Sequence, residues 1–164
     1  VSSLVEKMSM SSIDLRFNRL DSIMMKVAVL LDAKGRQVMT VTADTPISEA
    51  ARSLAVNDIG VLVVADADGT INGIFSERDV VRGLTRFGAE YLDMPVGQSM
   101  SRSVVTCTAE NSVDDVMELM TGHKIRHLPV VDGEELIGVI SIVDVVHAML
   151  ARAEFDKEVR QMAG

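Results

Sequence analysis

Two stretches of the sequence decide the fold: Gly73-Ile74-Phe75-Ser76-Glu77-Arg78-Asp79 and, about 65 residues later, Gly138-Val139-Ile140-Ser141-Ile142-Val143-Asp144. Each has a glycine, two apolar residues, a serine and, three positions after the serine, an aspartate. A pair of valines follows each stretch, and similar elements precede each one in the same order. The chain therefore contains two copies of one unit, which we expect to pair within the chain around a pseudo-two-fold axis.

Each copy reads as strand, helix, strand, strand, helix. In the first copy, residue types predict strands at 38–42, 60–65 and 70–75, a helix over 47–57 and a closing helix from residue 80. In the second copy they predict a strand at 104–108, a helix over 113–123, two further strands and a closing helix from residue 145. Asp66-Ala67-Asp68-Gly69 and Asp132-Gly133 are typical hairpin turns. Asp44-Thr45-Pro46 predicts a helix entry with a capping side chain and proline in the first turn.

The repeat divides the chain into five segments. Residues 1–34 are predicted to be a Ser-rich tail followed by a helix over 15–31, which Lys34-Gly35 would end. The first repeat covers 35–88, a linker 89–98, the second repeat 99–153, and a C-terminal tail 154–164. Each small sheet has a face that it cannot bury alone, so we expect the repeats to pack sheet to sheet. The fold class is α/β, of the α+β type.

Composition limits the classes of partner. The net charge of −8 argues against a nucleic-acid or anionic-membrane surface, because phosphate binding relies on clustered Lys and Arg. No apolar run reaches the length of a membrane span. The single cysteine, Cys107, lies in an apolar strand and is expected to be a buried, inert thiol. We expect a cytoplasmic protein.

The serine and aspartate of each repeat allow two interpretations. Ser76 and Ser141 can be simple N-caps, and Asp79 and Asp144 can be acids that favour the positive end of a helix. Their recurrence favours a second interpretation, because a helix N-terminus with a free hydroxyl is a natural phosphate site. A carboxylate one turn further can accept both hydroxyls of a ribose. Phosphate and ribose together indicate a nucleotide.

Cationic residues distinguish the two copies. Arg126 and His127 precede a strand that should lie beside the strand ending in Ser141, which would place Arg126 near the phosphate. The corresponding residues 58–62 of the first copy contain no cation. The sequence lacks both the Gly-x-Gly-x-x-Gly and the Walker-type phosphate loops, and its three histidines do not form a metal-ligand spacing with Cys107. We therefore predict a binding protein with no metal site and no catalytic centre.

These motifs resemble a tandem pair of CBS domains over residues 27–151, in the style of small stand-alone bacterial CBS proteins. The resemblance rests on the two Gly-to-Asp stretches and on Ile125-Arg126-His127-Leu128-Pro129-Val130-Val131. It implies that an adenosyl ligand, namely AMP, ADP, ATP, NAD(H) or S-adenosylmethionine, binds in the cleft between the two sheets.

The resemblance also assigns roles. Asp144 would hold the ribose, Ser141 a phosphate oxygen, and Arg126 with His127 the phosphate charge, while Arg78 would reach that phosphate from the other repeat. Further residues implied at this site are Leu128, Pro129, Val139 and Thr108. A second, weaker site would consist of Asp79, Ser76, Gly60, Val61 and Thr42; it would receive Ile59, Gly60 and Val143 where the first site has charged residues.

Two functions remain open on the sequence. The first is a regulatory module that senses an adenine nucleotide and passes the signal to an unknown protein partner. The alternative is an assembly protein whose nucleotide pocket is vestigial. Because Val80, Val81, Leu84, Val145, Val146 and Met149 give the closing helices apolar faces, we expect a homodimer in either case.

Overall fold

A computed structural model describes residues 25–162, and within that range it contains five α-helices, two 3-10 helices and six strands. The predicted Ser-rich tail and residues 15–24 of the predicted first helix lie outside the described residues. The elements in chain order are α1 (Val27–Lys34), β1 (Thr40–Val41), α2 (Ile47–Asn57), β2 (Val61–Ala65), β3 (Ile71–Ser76), α3 (Glu77–Phe87), the 3-10 helices Gly88–Asp93 and Val96–Gln98, β4 (Cys107–Thr108), α4 (Val113–His123), β5 (His127–Asp132), β6 (Glu135–Ser141) and α5 (Ile142–Met162).

The two repeats form two three-stranded sheets, in the orders β1-β2-β3 and β4-β5-β6. β1 pairs parallel with β2, and β2 pairs antiparallel with β3. The predicted β-α-β-β-α order of each repeat is confirmed. β1 and β4 are each two residues long, shorter than the five-residue strands that we predicted at 38–42 and 104–108.

The predicted hairpin turn of the first repeat is confirmed, and glycine is required in it. Gly69 has a φ of +89°, a region that residues with a Cβ rarely adopt. The backbone N–H of Asp66 donates to the carbonyl of Thr70 at 2.9 Å, and the N–H of Thr70 donates to the Asp68 carboxylate at 3.0 Å. In the second repeat, Gly133 has a φ of +61° at the corresponding turn.

The chain forms two compact units. The first consists of residues 25–36, Cys107–Leu128 and residues 140–162, and the second of Gln37–Thr106 and Pro129–Val139. The core of the second unit is built of buried side chains from α2, β2, β3 and the 3-10 helices: Ile47, Ala50, Leu54, Leu62, Val64, Phe75, Tyr91, Val96 and Met100. The segment that we predicted as a linker, residues 89–98, thus supplies two core residues, Tyr91 and Val96. A 3-10 helix can bury an isolated aromatic ring although it has no extended apolar period.

The prediction for the start of α2 is wrong. Pro46 is the N-cap residue, and no side chain caps this helix. The backbone N–H of Ile47 instead donates to the carbonyl of Met94 at 2.9 Å, and the N–H of Val96 donates to the carbonyl of Thr45 at 2.9 Å. The connecting segment therefore takes over the role that a capping side chain would have.

The predicted helix over 15–31 is not continuous. Lys26 is extended, with φ −88° and ψ 155°, and α1 begins only at Val27. The extended residue forms a bridge with Ser112, while the N–H groups of Val27 and Ala28 donate to the carbonyls of Asn111 and Ala109, both at 2.9 Å. These bonds fix α1 to the turn before α4. Gly35 ends α1 at φ +92°, as the sequence predicts.

The apolar side chains of the closing helices α3 and α5 are not all on the surface, as we had expected them to be for a dimer face. Val81 in α3 and Val146 in α5 are 65% and 40% exposed, but Val145 is fully buried. Val145 therefore belongs to the core and not to a surface. α5 continues through residues 154–162. Of the helices between residues 25 and 162, none combines the length and the apolar character that a membrane crossing requires.

Candidate functional site

The junction of β6 and α5 holds the serine and aspartate of the second repeat. The N–H and the hydroxyl of Ser141 both donate to Oδ2 of Asp144, at 2.7 and 2.8 Å. The N–H of Asp144 points back to the Ser141 hydroxyl at 3.3 Å. These bonds form a capping box, which satisfies donors at the helix start and fixes the carboxylate there.

The first repeat builds the same turn. The N–H and the hydroxyl of Ser76 donate to Oδ2 of Asp79 at 2.9 and 2.7 Å. The capping interpretation of the sequence is therefore confirmed at both junctions. It does not exclude ligand binding, because a carboxylate has a second oxygen that the cap does not use.

The carboxylate of Asp144 has a further partner that the sequence did not indicate. Lys34, the last residue of α1, donates from Nζ to Oδ2 of Asp144 at 2.6 Å. The side chain of Asp144 is 11% exposed and that of Lys34 is 30% exposed. Among the salt bridges found between residues 25 and 162, none reaches Asp79. The sequence places Lys34 only at the end of a helix, because no local pattern there indicates contact with an acid 110 residues away.

The protonation of Asp144 reflects this setting. Burial alone would raise the pKa of Asp144, but the hydrogen bonds from Lys34 and from the N–H of Ser141 outweigh it. The pKa of Asp144 consequently lies below its ordinary value. Near neutral pH the site holds a carboxylate ion that is ready to accept hydroxyl groups.

His127 and the backbone of Arg126 lie near the start of α5. The N–H of Ile142, the first residue of α5, donates to the carbonyl of Arg126 at 2.8 Å, which joins the start of β5 to the start of α5. Burial, and then the positive charges of Arg126 and Lys34, lower the pKa of His127, while the charge of Asp144 opposes them. The structure thus brings together an acid, two cations and a neutral imidazole.

The first repeat has no such cluster at the matching place. The N–H of Glu77, the first residue of α3, donates to the carbonyl of Gly60 at 3.2 Å, so Gly60 occupies the position that Arg126 has in the second repeat. Glycine has no side chain to contact a phosphate. This pairing agrees with the chemical asymmetry that we predicted between the repeats.

The other predicted site residues have varied surroundings. The N–H and the hydroxyl of Thr108 both donate to Oδ1 of Asn111, at 2.8 and 3.1 Å, and the hydroxyl of Thr42 lies 3.2 Å from that of Thr45. Leu128 is fully buried directly after His127. The remaining four belong to the second compact unit, where Arg78 is exposed: Val61, Arg78, Pro129 and Val139.

The side chains around Asp144 are suited to binding a ligand by hydrogen bonds and charge. Ionised Asp144 can accept hydrogen bonds from a diol, and Arg126 with Lys34 can compensate an anion. In the part of the chain that the structure describes, no group of three or more His, Cys, Asp or Glu side chains is arranged to hold a metal ion.

Comparison with known proteins identifies the family of the chain. The model of the CBS domain family matches residues 31–86 and 96–151. The CBS domain-containing protein YhcV of Bacillus subtilis is 32% identical over 113 residues, which cover 69% of this chain and 79% of that protein.

Solved structures share the same fold. The CBS-domain containing protein ATU1752 from Agrobacterium tumefaciens is 47% identical, with a TM-score of 0.74 over 76% of this chain and 92% of its own. The CBS domain pair of protein MJ0100, solved in complex with 5′-methylthioadenosine and S-adenosyl-L-methionine, is 25% identical, with a TM-score of 0.69 over 76% of this chain and 99% of its own.

Proposed function

We propose, from the premise that the chain belongs to the CBS domain family, that it is a regulatory module whose second repeat binds an adenine nucleotide. The ligand class comprises AMP, ADP, ATP and NAD(H). The ribose hydroxyls would bind the Asp144 carboxylate, and Ser141, Arg126 and His127 would bind the phosphate.

One observation carries this proposal: a mostly buried, ionised carboxylate at a helix start, paired with Lys34 and followed closely by a histidine on which Arg126 acts. Asp144 is 11% exposed, and Arg126 and Lys34 both act electrostatically on His127 beside it. A carboxylate that only capped the helix would not need these cations, and Asp79 caps α3 through the same serine contacts. Excess positive charge beside a ribose acceptor suits a ligand that carries both ribose and phosphate.

The ligands of the MJ0100 domain pair support the adenosyl part of the proposal. Both 5′-methylthioadenosine and S-adenosyl-L-methionine contain an adenosine group. The phosphate part rests on the residues of this chain, because the guanidinium group of Arg126 presents a planar set of donors that fits phosphate oxygens.

The first repeat would bind a phosphorylated ligand weakly or not at all. Ser76 and Asp79 reproduce the ribose-binding turn, but Gly60 replaces the arginine. A mononucleotide that bound there would lose the charge-assisted bonds to phosphate. We therefore propose one strong site in each chain.

Regulation requires that the nucleotide bind one arrangement of the protein more tightly than another. A ligand with equal affinity for both arrangements would shift neither. The output would pass to a partner protein that distinguishes the two. The alternative function, an assembly protein with a vestigial pocket, requires no nucleotide affinity. Measuring the affinity for nucleotides therefore distinguishes the two functions.

The experiment is isothermal titration of the full chain with AMP, ATP, NADH and adenosine. We expect at least one phosphorylated nucleotide to bind in the micromolar range or tighter, and Arg126→Met to weaken AMP about tenfold or more, since hydrogen bonds to charged groups contribute about 1.5–3 kcal/mol. Adenosine should lose little affinity in this variant. Met retains most of the apolar stem, so the apo protein should melt at nearly the same temperature.

The matched control is Arg160→Met, which removes an exposed arginine near the end of α5. It should leave every affinity unchanged. Absence of binding by all four ligands would favour the assembly function. Equal weakening of adenosine and AMP by Arg126→Met would make Arg126 a structural residue. The same titration with Arg78→Met tests the predicted contribution of the other repeat.

We also propose that the chain is a homodimer. Exposed apolar side chains on α3 and α5 support self-association; they include Val81, Leu150 and Val143, which are 65%, 57% and 55% exposed. Light scattering at micromolar concentration should give twice the mass of the chain, and Val81→Glu should lower it. A monomeric mass for the unaltered protein would contradict the proposal.

A further inference from the structure

Three arginines follow one face of α3, and we call this face the arginine stripe. Arg78, Arg82 and Arg86 are four residues apart, a spacing that places side chains on the same side of a helix, and all three are exposed. The guanidinium carbon of Arg86 lies 5.0 Å from the centroid of the Phe87 ring. Among the residues that the structure describes, no carboxylate forms a salt bridge with the stripe. Positive charge is thus concentrated on one helix of a chain whose net charge is −8.

The hairpin between β5 and β6 carries the opposite charge, and we call it the acidic turn. Asp132 ends β5, Glu135 begins β6, and Glu134 lies in the two-residue turn between them. All three carboxylates are exposed, and within residues 25–162 none of them forms a salt bridge. The residues that flank such a turn lie about 5 Å apart, where like charges repel each other. A cation bound at this turn would relieve the repulsion.

The stripe and the turn match in charge and in spacing. Arg82 and Arg86 are about 6 Å apart along the helix axis, since each residue of an α-helix rises about 1.5 Å. Asp132 and Glu135 are about 5 Å apart across the hairpin. Both groups belong to the second compact unit, yet no salt bridge joins them within it. Their opposite charges therefore remain available to a second copy of the chain.

Apolar side chains beside the stripe add a component that salt does not screen. Val81 and Leu84 of α3 are 65% and 38% exposed. Two copies that each carry a net charge of −8 repel one another at long range. Opposite charges at the contact offset this repulsion locally and fix the orientation of the two copies.

We infer that the arginine stripe of one chain binds the acidic turn of a second copy, and that a two-fold axis repeats this contact. Each chain then contributes one stripe and one turn, which closes the assembly at two chains. This inference rests on the proposed homodimer and does not depend on the nucleotide site.

Reversing the charges tests the contact. The stripe variant is Arg82→Glu with Arg86→Glu, and Arg78 stays unaltered because of its predicted role at the nucleotide phosphate. The turn variant is Glu134→Lys with Glu135→Lys. Sedimentation equilibrium of the full chain should show that either variant raises the dissociation constant of the dimer about tenfold or more. The turn variant halves the negative net charge of the chain, so a change in general repulsion alone would strengthen its dimer.

An equimolar mixture of the two variants should form a mixed dimer with a dissociation constant within about threefold of the unaltered one. In that dimer the reversed stripe meets the reversed turn, and the unaltered stripe meets the unaltered turn. The matched control is Arg52→Glu with Arg160→Glu, which makes the same change of charge as the stripe variant at exposed positions of α2 and α5. In 0.15 M salt, where the screening length is about 8 Å, it should change the constant by less than about threefold.

The neutral pair Arg82→Gln with Arg86→Gln keeps the inference testable if the charge-reversed stripe folds poorly. It should weaken the dimer by about threefold and make it less sensitive to salt. Variants that dimerise like the unaltered chain, or a mixture that stays dissociated, would overturn the inference and leave the homodimer proposal intact. A monomeric mass for the unaltered chain would remove both, and neither result bears on nucleotide binding.

Discussion

Gly83 and Tyr91 fit together so closely that a methyl group on Gly83 would have no room: an ideal Cβ there would lie 1.9 Å from Cζ of Tyr91. The Tyr91 ring is fully buried, and its hydroxyl donates to the carbonyl of Asp79 at 3.1 Å. The segment after α3 is thereby held against the helix that starts at the weaker predicted site.

Gly83→Ala should destabilise the protein. Alanine favours a helix over glycine by about 1 kcal/mol, but the clash with a buried ring costs about 1–3 kcal/mol in a packed core. Urea denaturation should show a lower midpoint with a similar slope.

Gly122→Ala is the matched control for that substitution, because Gly122 lies in α4 with no atom within 4 Å of an added Cβ. Here the helical preference should act alone and stabilise the protein by about 0.5–1 kcal/mol. If the two variants changed stability in the same direction, the close packing of Tyr91 against Gly83 would be wrong.

The free energy of unfolding at acid pH should depend on the protonation of Asp144. Because its pKa in the folded protein lies below the ordinary 3.8, the unfolded chain binds the proton more readily. The stabilisation is therefore complete above about pH 4 and is lost as the pH falls through the lowered pKa. Asp144→Asn should flatten this limb of the pH profile, measured by urea unfolding between pH 2 and 6. An identical acid limb in both proteins would contradict the lowered pKa of Asp144.

His127 should titrate below its ordinary pKa of 6.5, since burial and the positive charges of Arg126 and Lys34 outweigh the charge of Asp144. The unfolded chain binds this proton more readily as well, so stability falls as the pH drops below about 6.5. In Lys34→Met the pKa of His127 should rise, because one repelling charge is gone and Asp144 is less compensated. NMR titration of the imidazole measures both values, and a pKa above 6.5 in the unaltered protein would contradict the burial of His127.

The thiol of Cys107 should be unreactive in the folded protein. Burial raises the pKa of its thiol to about 11, so very little thiolate exists at neutral pH. Ellman's reagent at pH 8 should react slowly with the native chain and rapidly, with one equivalent, in denaturant. Fast reaction of the native protein would mean that the short strand β4 opens readily.

The repeat and its local signals were accessible from the sequence. The Gly-apolar-apolar-Ser turns predicted two capped helices, and both form, because Ser141 and Asp144 bond within a few residues of each other. The glycine of the first hairpin and the glycine that ends α1 were likewise predictable from the backbone conformations that their positions require. The asymmetry between Arg126 and Gly60 was visible as well, because it is a difference of residue type.

Other features depended on contacts between distant parts of the chain. At the start of α2, the N–H of Ile47 donates to the carbonyl of Met94, where we expected a side-chain cap. Tyr91, which lies in the predicted linker, is fully buried. Val145 and Val146 are adjacent and identical in type, yet one is fully buried and the other 40% exposed. Periodicity places such residues on a helix but does not identify which face the rest of the protein covers.

The sequence by itself determined the two β-α-β-β-α repeats and their family, and it placed Asp144 at a helix start and Arg126 before a strand, because each depends on short-range patterns in the chain. Tertiary structure alone decided that Lys34 donates to Asp144, since 110 residues separate them and no local pattern links the end of one helix to the start of another. The docking of α1 by Val27 and Ala28 onto the turn before α4 brings the lysine to that acid.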